Sequence, residues 1–80
     1  MSDKTIEFGA LKIFATVSSS ETLTQAAERL GITQSAVSQA IKQLETLTNS
    51  ELVERRSRPI RLTASGRLLN SYAEKILDQT

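Results

Sequence analysis

Residues 25–45 read Q-A-A-E-R-L-G-I-T-Q-S-A-V-S-Q-A-I-K-Q-L-E, and this stretch decides the fold. Ala26, Ala27 and Leu30 recur at helical spacing, Gly31 interrupts that helix, and Thr33 offers a hydroxyl to cap the next one. The pattern predicts two short helices joined by a turn, the second over residues 34–47. At roughly 100° per residue, Val37, Ile41 and Leu44, flanked by Ala40, share one side of that second helix as core positions. The opposite side collects Ser35, Ser38, Gln39, Lys42, Gln43 and Thr46, which are hydroxyls and amides with one cation and no carboxylate. A generic solvated face mixes glutamate with lysine. This one is suited to hydrogen-bonding edges that lie beside phosphates, which a carboxylate would repel.

Working outward toward the N-terminus, a helix is predicted from near Ile6 into the serines at 18–20. Its apolar residues Phe8, Ala10, Leu11, Ile13, Phe14, Ala15 and Val17 wrap more than half its surface, so it should be packed on two sides. One side would meet the following helix pair and the other the C-terminal helix. Thr24 is the expected N-cap of the second helix, with Leu23 just before it as a hydrophobic staple.

Beyond the polar break at 48–50 the periodicity changes. Two short alternating runs, 52–55 and 60–62, flank the turn-like Arg56-Ser57-Arg58-Pro59 and predict a two-stranded hairpin lying against the helices. Pro59 cannot donate to a ladder, so it belongs at the turn or an edge. Thr63 then caps a last helix from Ala64 to about Gln79, in which Gly66 costs little. The apolar residues Leu68, Leu69, Tyr72, Ala73, Ile76 and Leu77 cover nearly half of this helix, more than so small a domain can bury, and predict a dimer interface. An entirely intramolecular role is the alternative for them.

A chain of 80 residues makes one domain, which buries only about 60 % of its unfolded surface and gains from a partner chain. With 39 % hydrophobic and 24 % charged residues the chain should fold. It has no cysteine and no histidine, which excludes disulfides and thiolate metal sites and removes the commonest metal ligand and general base. The glutamates at 7, 28, 45, 54 and 74 are scattered without a convergent partner, so nothing points to an enzyme, a metal or a cofactor. No signal peptide or membrane span is visible, and a cytoplasmic location is expected.

The net charge of +1 hides a local concentration. Residues 51–67 carry five arginines against two glutamates, a net of plus three, while the stretches on either side are each at minus one. A solubilising hairpin would account for this patch if it stood alone. Beside the carboxylate-free helix face, Arg55, Arg56 and Arg58 are read as phosphate ligands, and Arg61 less so because strand alternation turns it another way.

Taken in order, these segments resemble the N-terminal DNA-binding domain of LysR-type transcriptional regulators. The residues that carry the resemblance are F-A-T-V at 14–17, L-T-Q-A-A-E-R-L-G-I-T-Q-S-A-V-S-Q-A-I-K-Q-L-E at 23–45 and L-V-E-R-R-S-R-P-I-R-L-T-A-S-G at 52–66. The resemblance implies an all-α fold with a small β-hairpin. In it, a winged helix-turn-helix over residues 1–63 is followed by a linker helix over 64–80, and two copies are joined through that helix on an interrupted inverted repeat of promoter DNA. By position, Gln34, Ser35, Ala36, Ser38 and Gln39 would contact bases in the major groove. Thr24, Thr33, Lys42, Gln43, Arg55 and Arg56 would contact the backbone, Arg58 and Pro59 the minor groove. Leu68, Leu69, Tyr72, Ala73, Ile76 and Leu77 would join the dimer. The chain departs from the usual pattern with Ser35 in place of proline, Gln39 in place of arginine, Thr48 in place of glycine and Val53 in place of phenylalanine. The effector-binding domain of the family is absent from these residues, and a small-molecule effector is implied only where such a domain exists. The rival reading from another class is a helical dimerisation or protein-interaction module that does not bind DNA.

Overall fold

The computed structural model describes residues 8–54 and 56–77. The elements are α1 (Phe8–Ser18), α2 (Leu23–Leu30), α3 (Gln34–Thr48), β1 (Val53–Glu54), β2 (Arg61–Leu62) and α4 (Ala64–Leu77). Four helices and an antiparallel hairpin make the winged helix-turn-helix that the sequence predicts. The expected start of the first helix near Ile6, its last counterpart near Gln79, and Arg55 lie outside the described residues. Among the described residues no helix is long and apolar enough to cross a membrane.

α1 is the central element and packs against α2, α3 and α4. Phe14 and Val17 are completely buried and join Ala26, Ala27, Val37, Ala40, Ile41, Leu44, Leu52 and Val53 in one core. Truncating Phe14 to alanine removes about 3–5 kcal/mol, on the scale of the whole stability of a small domain. The other face of α1 carries Leu11, Ala15 and Ser18 at helical spacing. Ser18 Oγ lies 3.0 Å from Asn70 Oδ1, which places that face against α4. Two-sided packing therefore explains the broad apolar surface of α1.

The turn between α2 and α3 is built as its residues require. Gly31 takes the left-handed conformation at φ 72° and ends α2. Thr33 Oγ1 accepts from Ala36 N at 3.0 Å and starts α3. The start of α2 corrects the sequence expectation. Its N-cap is Thr22, whose Oγ1 accepts from Gln25 N at 2.9 Å, while Gln25 Oε1 accepts from Glu21 N at 2.7 Å. Thr24 lies inside the first turn, and Leu23 is the first helical residue rather than a staple ahead of the cap. The end of α3 needs a second correction. Thr48 is its last residue, and the position that demands a left-handed backbone is Asn49, at φ 54°.

The strands are shorter than the alternation suggests, with Val53 opposite Leu62 and Glu54 opposite Arg61. Both flanking residues spend their N–H groups elsewhere. Leu52 N donates to Glu45 Oε2 at 2.8 Å, and Ile60 N donates to Glu21 O at 3.1 Å. These two bonds tie the hairpin to the end of α3 and to the loop before α2. The Arg58–Pro59 peptide is cis.

Candidate nucleic-acid interface

The N-terminal half of α3 brings Gln34, Ser35, Ser38, Gln39 and Lys42 around one shallow polar depression. The 3.6-residue period does this, since 35 and 39, and 38 and 42, are each one turn apart. Gln34, Ser35, Gln39, Lys42, Gln43 and Thr46 are exposed, whereas Ser38 and Ala36 are half-buried. Among the described residues, none of these side chains makes a hydrogen bond within the chain, so the donors and acceptors of the face face solvent. On the opposite side of the same helix Val37, Ala40, Ile41 and Leu44 are buried, which fixes the direction in which the polar face points.

A second groove continues from this face to the hairpin. It is lined by Gln34 of α3, by Glu21, Thr22, Leu23 and Thr24 at the start of α2, and by Val53, Glu54, Ser57, Arg58 and Ile60 of the wing, so Arg58 shares it with two carboxylates. Arg56, Arg58 and Pro59 are exposed, and among the described residues neither arginine has an intramolecular partner. Ser57 N donates to Glu54 O at 3.2 Å and its hydroxyl lies 3.2 Å from Glu54 Oε1, a local turn that presents Arg56 and Arg58 at its tip. Arg61 is also exposed but stands across the ladder from Glu54. Arg67 is turned back, donating to Leu62 O at 3.1 Å. Among the described residues, the cations of this segment thus divide between an unpaired tip and a base tied to the hairpin.

On α4, Leu68 and Tyr72 are 75 % and 56 % exposed and form an apolar pair one turn apart. Leu69 is packed against the core, and Ile76 and Leu77 are half-buried. Ala73, expected at the dimer interface, is 0 % exposed within the single chain. Its side chain is already covered, because it sits on the face of α4 turned inward.

Several residues act in ways that the linear pattern did not suggest. Arg29, in the last turn of α2, donates to Ser20 Oγ at 2.8 Å and to Ser19 O and Ser19 Oγ at 3.1 Å each. The serine run is therefore an acceptor site at the C-terminal end of α1, where a cation also complements the helix dipole. Glu45, one of the scattered acids, holds Leu52 N, and Glu74 accepts from Asn70 Nδ2 at 3.3 Å. The cap at Thr22 had a visible signal, the T-x-x-Q spacing to Gln25. Among the described residues no three His, Cys, Asp or Glu side chains gather to hold a metal.

Comparison with known proteins agrees with this geometry. The family model described as bacterial regulatory helix-turn-helix protein, lysR family, matches residues 8–67. The chain is 41 % identical over 69 residues to the uncharacterized HTH-type transcriptional regulator YfeR of Shigella flexneri, covering 86 % of this chain and 22 % of that protein. It is 43 % identical over 72 residues to the regulator YusT of Bacillus subtilis, covering 90 % and 24 % respectively. The chain thus spans less than a quarter of the length of either relative. Among solved structures, the DNA-binding domain of BenM in complex with catB site 1 DNA superposes with a TM-score of 0.86 at 36 % identity, over 90 % of this chain and 80 % of that one. DarR of Vibrio fischeri, solved in complex with DNA, superposes with a TM-score of 0.87 at 37 % identity, over 94 % of this chain and 26 % of that one. With its helix-turn-helix and hairpin both inside the matched residues, the chain belongs to the lysR family of bacterial regulatory helix-turn-helix proteins.

Proposed function

We propose that the chain binds duplex DNA in a sequence-dependent way and regulates transcription. The observation that carries this reading is that Gln34 of α3 and Arg58 of the hairpin line one groove. An amide and hydroxyl face of the width of one helix fits the major groove, and the arginine tip beside it reaches the neighbouring phosphates and minor groove. In this arrangement Gln34, Ser35, Ala36, Ser38 and Gln39 meet base edges. Thr24, Thr33, Lys42, Gln43 and Arg56 meet the backbone, and Arg58 with Pro59 enters the minor groove, where a guanidinium responds to groove width more than to base identity. The relatives solved as DNA complexes have this same fold.

Two copies joined through Leu68 and Tyr72 of α4 would place two α3 helices on an interrupted inverted repeat. Their spacing would be a whole number of DNA turns. α4 is then a linker helix that doubles as the dimerisation element.

The test is a gel-shift titration over salt with a pool of duplex DNA. Each phosphate neutralised contributes about 0.9 to the slope of log affinity against log salt, so a steep loss of affinity is expected as salt rises. An apolar interaction module without DNA binding gives no shifted band at any salt concentration, and that result overturns the reading.

A further inference from the structure

Reading α3 as the base-contacting helix, we propose that Gln39 is a specificity-determining residue that selects adenine, so the half-site carries an A·T pair where residue 39 meets the major groove. The inference rests on the DNA-binding reading above and adds to it which base the site takes.

Around the depression of α3 stand two glutamines, two serines and a single cation, Lys42. Gln39 lies in the second turn of α3 and is exposed, and among the described residues its amide is bonded to no other group. A primary amide offers one acceptor oxygen and one donor nitrogen side by side. In the major groove adenine presents an N6–H donor beside an N7 acceptor, which is the complement of that pair, whereas guanine presents two acceptors, O6 and N7. Both N–H donors of an amide sit on one nitrogen, so it cannot set two parallel bonds on the two guanine acceptors; that requires a fork of two donor nitrogens, which arginine has and glutamine lacks.

The neighbours do not restore a guanine reader. Ser35 and Ser38 carry short hydroxyls that bond several bases without distinguishing them strongly. Lys42 lies one turn nearer the C-terminus than Ser38, away from the N-terminal residues with which a recognition helix contacts base edges, and acts as a point charge on phosphate. Gln34, at the first position of α3, also lines the groove toward the wing and so lies at the edge of the face. Among the residues that line the depression, Gln39 is left as the bidentate reader.

The test uses the full chain and duplexes selected from a random pool, with the same selection repeated on Gln39→Arg. The pair whose preference differs between the two selections is the one that residue 39 faces. The expected result is adenine at that pair for the native chain and guanine for Gln39→Arg, with the rest of the site unchanged. Replacing that adenine by 7-deazaadenine, which removes only the N7 acceptor, is expected to weaken native binding about tenfold and to leave Gln39→Ala unaffected, in keeping with the usual worth of a bidentate contact. Guanine selected by the native chain at that pair, or selections that do not differ, overturns the proposal. Replacing each adenine of the selected site in turn and reading the native chain alone repeats this arm without a variant, so an unstable substitution does not blunt the test. A chain that enriches no duplex at all overturns the DNA-binding reading itself, whereas enrichment with guanine at that pair overturns only the choice of base.

Discussion

Gly66, in the first turn of α4, lies so close to the Leu52 carbonyl that a β-carbon at 66 would overlap its oxygen. The same oxygen accepts from Thr63 N at 3.1 Å, and the β-carbon would also stand 3.2 Å from Leu62 Cβ. Backbone and not a flexible side chain blocks the space. The start of α4 is thereby pressed onto the residue that leads into β1 and onto the end of β2.

Gly66→Ala is therefore expected to destabilise the fold. In a free helix this change gains about 0.5–1 kcal/mol. Here the overlap has to be relieved by shifting backbone, at a cost of about 1–3 kcal/mol. A lower urea midpoint is expected, and a midpoint equal to or above that of the native chain would show that α4 is free to move away from Leu52.

Asn49 holds the left-handed position after α3 at φ 54°. Asn49→Gly is expected to hold or raise stability, because glycine has no β-carbon to strain in this conformation, whereas Asn49→Ala costs about 1 kcal/mol, because it keeps the β-carbon and loses the short polar side chain with which asparagine tolerates the left-handed region. Thermal melts of the two variants make the comparison. Equal melting temperatures would place the helix end elsewhere.

Arg29→Ala removes the bonds from α2 to Ser19 and Ser20 at the end of α1. Arg29 is exposed, so the loss is modest, about 1 kcal/mol. Arg29→Lys keeps the charge, but its shorter side chain and more strongly hydrated ammonium replace the one guanidinium nitrogen, Nη1, that donates to both serines, and it is expected to recover only part of the stability. Full recovery by lysine in chemical denaturation would reduce the clamp to its charge alone.

At the wing, Arg58→Ala is expected to weaken binding to specific and random duplexes alike and to make the salt slope shallower by about 0.9. Fluorescence anisotropy at four or five salt concentrations measures both quantities. An unchanged slope would remove Arg58 from the set of phosphate contacts.

On α4, a double change of Leu68 and Tyr72 to glutamate is expected to convert a dimer into a monomer in analytical ultracentrifugation and to weaken binding to a two-half-site duplex at least tenfold. Both residues are mainly exposed in the single chain, so the monomer should still fold, and its melting temperature should fall only by what association contributes. A native chain that sediments as a monomer, or a variant that still dimerises, would move the interface off this stripe. Ala73 makes a useful control. It is buried in its own chain, so enlarging it should unfold the domain before it affects association.

Much of the architecture could be read from local chemistry. The turn between α2 and α3 follows from Gly31 and Thr33, and the core side of α3 from the period of Val37, Ile41 and Leu44, because these depend on backbone preference and on neighbours one turn away. The two-sided packing of α1 followed in the same way from the width of its apolar surface. Local reading erred where two caps competed within a few residues: Thr22 and Thr24 are alike in type, and only the answering amide of Gln25 distinguishes them. Thr48 and Asn49 differ in the same manner, since the helix end depends on which residue turns left-handed.

Sequence alone therefore determined the order of the elements, the buried stripes of α2 and α3 and the carboxylate-free face of α3, all of which repeat within a turn or two. Tertiary structure decided the rest. That Gln34 and Arg58 share a groove, that Arg29 is spent on the serines while Arg56 and Arg58 have no partner among the described residues, that Ala73 points inward while Leu68 and Tyr72 point outward, and that a β-carbon does not fit at 66 are distances between segments remote in the chain. Such distances are set by how the helices pack, and packing is a property of all the side chains at once.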